Sequence, residues 1–378
     1  MSTSTLSLLS VPEEMTSVSF IASYHAEKLQ LKLTPYYGKT LFKQSLPDNT
    51  LIIYKVILIL ECKEQRDEDL QNTTHLQTIS RFINEAVDNE IVALTRFSKY
   101  NIQGVPTMLS CHYYDIYNSR EGVIARYAIL SMPYYGKDMS KFSMSSLSLV
   151  EKNKILNQIN ASIALMHACE VYHCDIKDEN ICLSDDLTPT IIDFSVCEVS
   201  KTALPYVGML MHNTFGSHCP FQFILFATAS DDQLDKVSYD LRRSMFPPHL
   251  RQQLREQVMN IITSDDNQNI FGNIRVNVGG QIVSMGDYLK NNDRFTFALL
   301  AFSVMRDGGF FCNGLLPIKK GRYSQVDLVN MTTNTITYLS DPQAYTFEQF
   351  QFIPQYKEYD QTLFEMVFDT LNMSDCFH

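Results

Sequence analysis

No Cys-x-x-Cys pair occurs among the nine cysteines of this chain. That argues against a zinc ribbon and for reduced thiols, so a cytoplasmic or nuclear compartment is expected. An excess of basic charge is missing too. A formal net charge of -11 disfavours a wide footprint on nucleic acid or anionic membrane, and no nucleic-acid partner is expected. No apolar run approaches the roughly 18 residues that a membrane-crossing helix needs. The opening MSTSTLSLLSVPEEM has no basic n-region, so neither a signal peptide nor an anchor is expected. Tryptophan is absent altogether.

What the chain does have is length and apolar content for a large core: 378 residues, 45% of them hydrophobic, ordinary for a two-lobed enzyme. Its most informative stretch is Tyr172–Phe194, YHCDIKDENICLSDDLTPTIIDF. His173, Asp175, Lys177 and Asn180 come first, and Asp193-Phe194 follow after two short apolar runs. ICL and TIIDF read as strands, with SDDLTP as the turn between them. Asp and Asn in loops usually just cap turns, but five polar positions in this order are hard to reach by chance. The order and spacing resembles the catalytic and metal-binding loops of eukaryotic-type protein kinases, H-R-D-x-K-x-x-N followed by D-F-G.

The resemblance implies an α+β, bilobal protein-kinase-like fold with a small β-rich N-lobe and a large, mainly helical C-lobe. It implies ATP with Mg²⁺ (or Mn²⁺), and a protein substrate. Asp175 would orient the acceptor hydroxyl and take its proton, and Lys177 would contact the γ-phosphate. Asn180 and Asp193 would hold the metals. Cys182 would lie beneath the adenine. A Lys two residues after the Asp is the Ser/Thr-kinase arrangement. Two departures matter. Cys174 replaces the usual Arg, so activity independent of activation-loop phosphorylation is expected. Ser195 replaces the Gly of D-F-G, which should make that segment harder to flip.

Residues 1–24 read as a tail, 25–135 as the N-lobe and 136–378 as the C-lobe. EKLQLKL alternates like a strand and leads to TPYYGKT. On the kinase alignment Gly38 takes the place of the third glycine of the Gly-rich loop and Tyr37 that of the tip aromatic. Leu33 and Pro35 stand where the first two glycines would be. LIIYKVILILE is an apolar run around one lysine, Lys55, which resembles the ATP-binding lysine of V-A-I-K. A lysine on an edge strand or snorkelling to solvent is the plainer reading. ISRFINEAVDNEIVALTRFSKYNI is helical, with Glu90, Leu94 and Phe97 in register. Glu90 is the expected partner of Lys55, with Glu85 as fallback.

VPTMLSCHYYDIY and VIARYAILSM read as strands joined through NSREG, and MPYYGKDM follows. This is similar to the hinge of casein-kinase-1-like and vaccinia-related kinases. Met132 would be the gatekeeper, and backbone groups of Pro133, Tyr134 and Tyr135 would meet the adenine. Pro133 offers only its carbonyl. The amphipathic stretch 147–171 reads as a helix leading to the catalytic loop. HNTFGSHCPFQF resembles the end of an activation segment, with Thr214 and Pro220 in place and Phe221 replacing a Glu. His212, His218 and Cys219 lack a fourth ligand at sensible spacing and are not read as a metal site. NDRFTFALLAFSVMRDGG resembles the αF helix. Asp293 is the candidate to hold the catalytic-loop backbone, and Phe295 stands where Trp is usual. Residues from about 222 to 290 then form an insertion, with a helix at 249–262 and a hairpin at IRVNVGG, a possible site for a protein partner. The 347–373 stretch carries the clearest late helix.

Two other functions stay open. A pseudokinase scaffold would suit the lost glycines and Ser195, and the intact Lys55, Asp175, Asn180 and Asp193 weigh against it. A small-molecule kinase of the aminoglycoside type also carries H-x-D and N, but Lys177, Thr214 and the αF-like helix favour a protein kinase. Nucleotidyl transfer is a further chemistry the fold would allow. The divergence suits a viral or fast-evolving kinase, acting in a host cell if viral.

Overall fold

A single lysine inside an apolar strand is tolerated only if the strand's two faces meet different surroundings, and the N-terminal part of this protein is built that way. The computed structural model describes residues 6–10, 18–38, 40–61, 89–118, 122–195, 197–199, 262–263, 275–278, 281–283, 285–305 and 358–371. The chain divides into two units, Met1–Gly136 and Lys137–His378.

The first unit holds a six-stranded sheet of β1 (Leu6–Ser10), β2 (Thr34–Tyr37), β3 (Leu41–Ser45), β4 (Leu51–Glu61), β5 (Ser110–Asn118) and β6 (Gly122–Pro133). The spatial order is β1-β5-β6-β4-β3-β2, antiparallel except where β1 runs parallel to β5. Successive strand residues point to opposite faces. Tyr54, Val56, Tyr114, Ile116, Tyr127 and Ile129 therefore share one face, where Ile21 and Ala22 of helix α1 (Val18–Lys28) pack. Ile57, Ile59, Tyr113 and Ala128 share the other, against Ile91 of helix α2 (89–100). Lys55 has the parity of Ile57 and Ile59, so it lies on the α2 side.

Two sequence expectations are corrected here. Within residues 1–24, read as a tail, residues 6–10 form β1 and Val18 opens α1, which runs on to Lys28. The strand read into EKLQLKL is the end of α1 and a turn: Leu31 N donates to Ala26 O. Leu31 and Leu33 do pack on the core, so the alternation reports burial without a ladder.

His25 on α1 is fully buried. Its Nδ1 lies 2.6 Å from the Tyr114 hydroxyl, and its Nε2 has no hydrogen-bond partner. Burial first, then His112 and Lys28, push its pKa down to about 4. A histidine that resists protonation when folded contributes stability above its unfolded pKa of about 6.5 and loses it as pH falls toward 4. We expect wild type to lose on the order of 3 kcal/mol in urea unfolding across that window. His25→Phe should flatten much of that slope, and an unchanged slope would refute the assignment.

In the second unit, α3 (Leu149–Ala168) starts at a capping box: Glu151 N donates to Ser148 Oγ, and the Glu151 carboxylate accepts from Ser148 N. Ile155, Leu156, Ile159, Ile163 and Met166 form its buried stripe. Helix α4 (Met285–Met305) is buried along most of its length, including Phe295, Phe297, Ala298, Ala301, Phe302 and Val304 of its largely apolar second half, as a stretch apolar on most sides should be. It begins inside the interval read as an insertion. Helix α5 (Gln361–Leu371) is capped by Asp360, whose Oδ1 accepts from Leu363 N. Asp360 also takes Asn157 Nδ2 on Oδ2 and donates its N–H to Asn153 Oδ1, joining α5 to α3.

Short strands complete this unit. β7 (Lys137–Asp138), β9 (Ile181–Leu183) and β10 (Pro189–Ile191) form one sheet, and β8 (Val171–Tyr172) pairs with β11 (Glu198–Val199). β12 (Ile262–Thr263), β13 (Arg275–Val278) and β14 (Gln281–Val283) form another. The IRVNVGG hairpin is thus present. Ile262, expected at the end of a helix, is in a strand, and the rest of that helix lies outside the described residues.

Candidate active site

Strand β4 is bonded on both sides, to β3 and β6, so Lys55 is not an edge lysine. Its ammonium donates to Glu90 Oε1 and Oε2 at 2.8 and 3.1 Å. Glu90 is 3% exposed, so removing either member alone would strand a charge in a buried or half-buried place. Glu85 lies outside the described residues.

The β2–β3 hairpin turns at Gly38, whose φ of +58° is a conformation glycine adopts without strain. Pro35 lies on β2, the outermost strand, where a missing N–H costs no ladder bond. At the other end of the unit, Met132 is half-buried and sits opposite Ile53. Tyr134 N donates to Leu51 O at 3.0 Å, so this N–H is committed within the protein. Ladder bonds alternate along antiparallel strands, which turns the neighbouring Pro133 carbonyl away from β4. Of the backbone groups expected to meet an adenine, the Pro133 carbonyl and Tyr135 N–H remain suitable.

In the second unit the loop after β8 is built around Asp293. Its Oδ2 accepts from His173 N at 2.8 Å and lies 2.9 Å from His167 Nε2, and its Oδ1 accepts from Cys174 N at 2.8 Å. Asp293 is fully buried. Cys174 has φ +64°, a strained conformation for a non-glycine residue. Asp293 is what holds it. His173 adds a second tie: Asp175 N donates to its Nδ1, so its Nε2 carries the proton and donates to Ile192 O. Its ring meets Phe194 at 4.8 Å.

Asp175 is buried. Its Oδ2 receives Lys177 Nζ at 2.8 Å and Asn180 Nδ2 at 2.9 Å, and the same amide donates to Asp175 O. Asp175 Oδ1 is buried with no hydrogen-bond partner. A buried bare carboxylate oxygen is costly, and here it is an acceptor held in place for a donor from outside. Ile192 N donates to Asn180 O, which ties the segment entering Asp193 to the Asn180 backbone. Asp193 itself is exposed, at φ +63°. Cys182, opposite Asp138 in the β7–β9 pair, is a buried thiol whose pKa burial pushes up to about 11. It is a neutral apolar surface.

The donor set fits a hard cation. Asn180 spends its NH₂ on Asp175, so its Oδ1 is the atom available to a metal, and the Asp193 carboxylate is solvent-accessible. Mg²⁺ takes one or two protein oxygens together with phosphate and water. Among the described residues no group of three or more His, Cys, Asp or Glu gathers into a metal cage.

Thr214, Pro220, Phe221, His212, His218 and Cys219 lie outside the described residues, as does most of 222–290. No described helix is long and apolar enough to cross a membrane. Sequence reading missed the His167–Asp293 bond; the signal was a histidine in the last turn of an amphipathic helix. Comparison with curated proteins finds no match. The family model described as protein kinase domain matches residues 62–217. That stretch includes Glu90, residues 132–136, Asp175, Lys177, Asn180 and Asp193, but not Gly38 or Lys55. Over that stretch, less than half of its length, the chain is similar to a protein kinase domain.

Proposed function

We propose that this protein is an ATP-dependent Ser/Thr protein kinase that transfers the γ-phosphate to hydroxyls of a protein substrate. The observation that carries this is Asp175, pinned through Oδ2 with Oδ1 left bare. The acceptor hydroxyl donates to Oδ1 and gives up its proton there as its oxygen bonds to the γ-phosphorus and the bond from that phosphorus to the bridging oxygen breaks, with ADP as the leaving group. Lys177 draws off charge from the γ-phosphate, and its position two residues after Asp175 supports Ser/Thr acceptors. Lys55, steadied by Glu90, contacts the other phosphates. Asn180 and Asp193 hold Mg²⁺ or Mn²⁺, which when bound supplies neutralising charge at the phosphates. Met132, the Pro133 carbonyl and Tyr135 N–H are the first unit's proposed contacts to the adenine, and Cys182 is the second unit's.

Cys174 supports activity without activation-loop phosphorylation. It is 1% exposed, and burial first, then Asp293, Glu198 and Cys197, push its thiol well above the usual range. A neutral buried thiol offers no docking charge to a phosphate.

The test uses the full chain with γ-labelled ATP, Mg²⁺ or Mn²⁺ and a basic protein mixture. Label should appear on Ser and Thr, vanish in Asp193→Asn, and be unaffected by prior phosphatase treatment of the enzyme. ATP binding without any label would instead favour a scaffold working through a protein partner, at residues 222–290 for instance. Leu33 and Pro35 in place of glycines favour that second reading. The thiol content and acidic balance suit a cytoplasmic or nuclear setting.

A further inference from the structure

The β2–β3 hairpin lacks the glycines that would let its backbone adapt, yet it is tied down by another means. The β2–β3 register pairs Pro35 with Phe42 and Tyr37 with Leu41, with a shift between them. Tyr36 is therefore the extra residue of a β-bulge, a device that re-aims a side chain. Its ring lies 5.9 Å from that of Tyr134 at an interplanar angle of 83°, the favoured edge-to-face arrangement. Lys43 Nζ lies 5.6 Å from the Tyr36 ring centroid, steadying it further. Tyr134 is fixed through its N–H on Leu51 O, and the next residue through Thr107 N donating to the Tyr135 hydroxyl at 2.7 Å.

We infer that Tyr36 and Tyr134 form an aromatic clasp that positions the purine nucleotide, fastening the β2–β3 hairpin to the segment after β6. This rests on the kinase reading above. Tyr36 is a positioning residue: bulge, Pro35 and clasp replace an adaptable glycine cover with a stiff one. Its effect falls on holding the nucleotide, not on the proton transfer at Asp175.

The experiment measures ATP dependence of transfer, and equilibrium binding of a fluorescent ATP analogue, for full-length wild type, Tyr36→Ala, Tyr36→Phe, Tyr134→Ala and the double alanine variant. Tyr36→Ala should raise the KM for ATP and the analogue's Kd about threefold to tenfold, the range one edge-to-face ring contact supports. Its kcat should stay within about twofold of wild type. Tyr36→Phe should restore wild-type values, because the ring and not the hydroxyl makes the contact. The double variant should be little worse than the worse single one, as residues in one contact behave. Wild type that binds the analogue beside a Tyr36→Ala that binds it equally well overturns the clasp alone. An equal fall in kcat, or failure of Tyr36→Phe to restore binding, overturns it too. Wild type that does not bind ATP overturns the kinase reading and the clasp with it.

Discussion

Asp175→Asn should lower phosphoryl transfer by about two to four orders of magnitude while ATP still binds. The geometry fixes which way the new amide faces. Lys177 Nζ and Asn180 Nδ2 both donate to Asp175 Oδ2, so the amide must present its oxygen there. Its NH₂ then occupies the place of Oδ1, the bare acceptor. A group that should take a proton is replaced by one that offers two. Stability should stay level or fall modestly, because the NH₂ is as unpaired as Oδ1 was and Lys177 loses its counter-charge; the thermal midpoint should not rise. Rates and melting are measured on the same preparation. A variant retaining more than about a tenth of wild-type rate would remove Asp175 from the role of base.

The second large effect is structural. Asp293→Ala should destabilise the Lys137–His378 unit by about 3–5 kcal/mol, a large share of the roughly 5–15 kcal/mol that a folded domain commands. The carboxylate accepts from two backbone N–H groups and lies against His167, all buried. Alanine leaves these donors without their carboxylate acceptor. Cys174 would also lose the bond that keeps it left-handed. Asp293→Asn should rescue only in part, since its NH₂ must face a donor. Urea unfolding followed by two probes gives the loss, and a value under about 1 kcal/mol would show that the loop is held by other means.

Much of the candidate site was legible because its chemistry fixes spacing within one short stretch. The strand Ile181–Leu183 falls where ICL puts it, while the second strand, Pro189–Ile191, takes the last residue of the expected turn and only the first two of TIIDF. Lys55 was legible as the one charge in an apolar strand. Its pairing with Glu90 needed the family resemblance to choose among the acidic residues of that helix. Asp293 was likewise reached through a pattern, since nothing local says that a carboxylate 120 residues away serves His173. The first 28 residues were not legible: a short apolar run such as LSLLS becomes a strand only because β5 offers it an edge, and helix α1 forms where a sheet face needs cover. The capping box at Ser148 and Glu151 was written plainly as S-x-x-E.

The parallel pairing of Leu6–Ser10 with Tyr113–Tyr117 sets an order of events at the ribosome. Leu6 is synthesised about a hundred residues before its partner. At about 5–20 residues per second that is a wait of roughly 5 to 20 s. Until β5 emerges, LSLLS has no edge to join, and α1 can cover only the part of the sheet face that Phe42, Tyr54 and Val56 supply. Strand β1 is therefore among the last to be placed, and this distant contact should slow completion of the sheet. A nascent chain stalled before residue 110 would carry LSLLS without its partner strand, as a natural client for a chaperone.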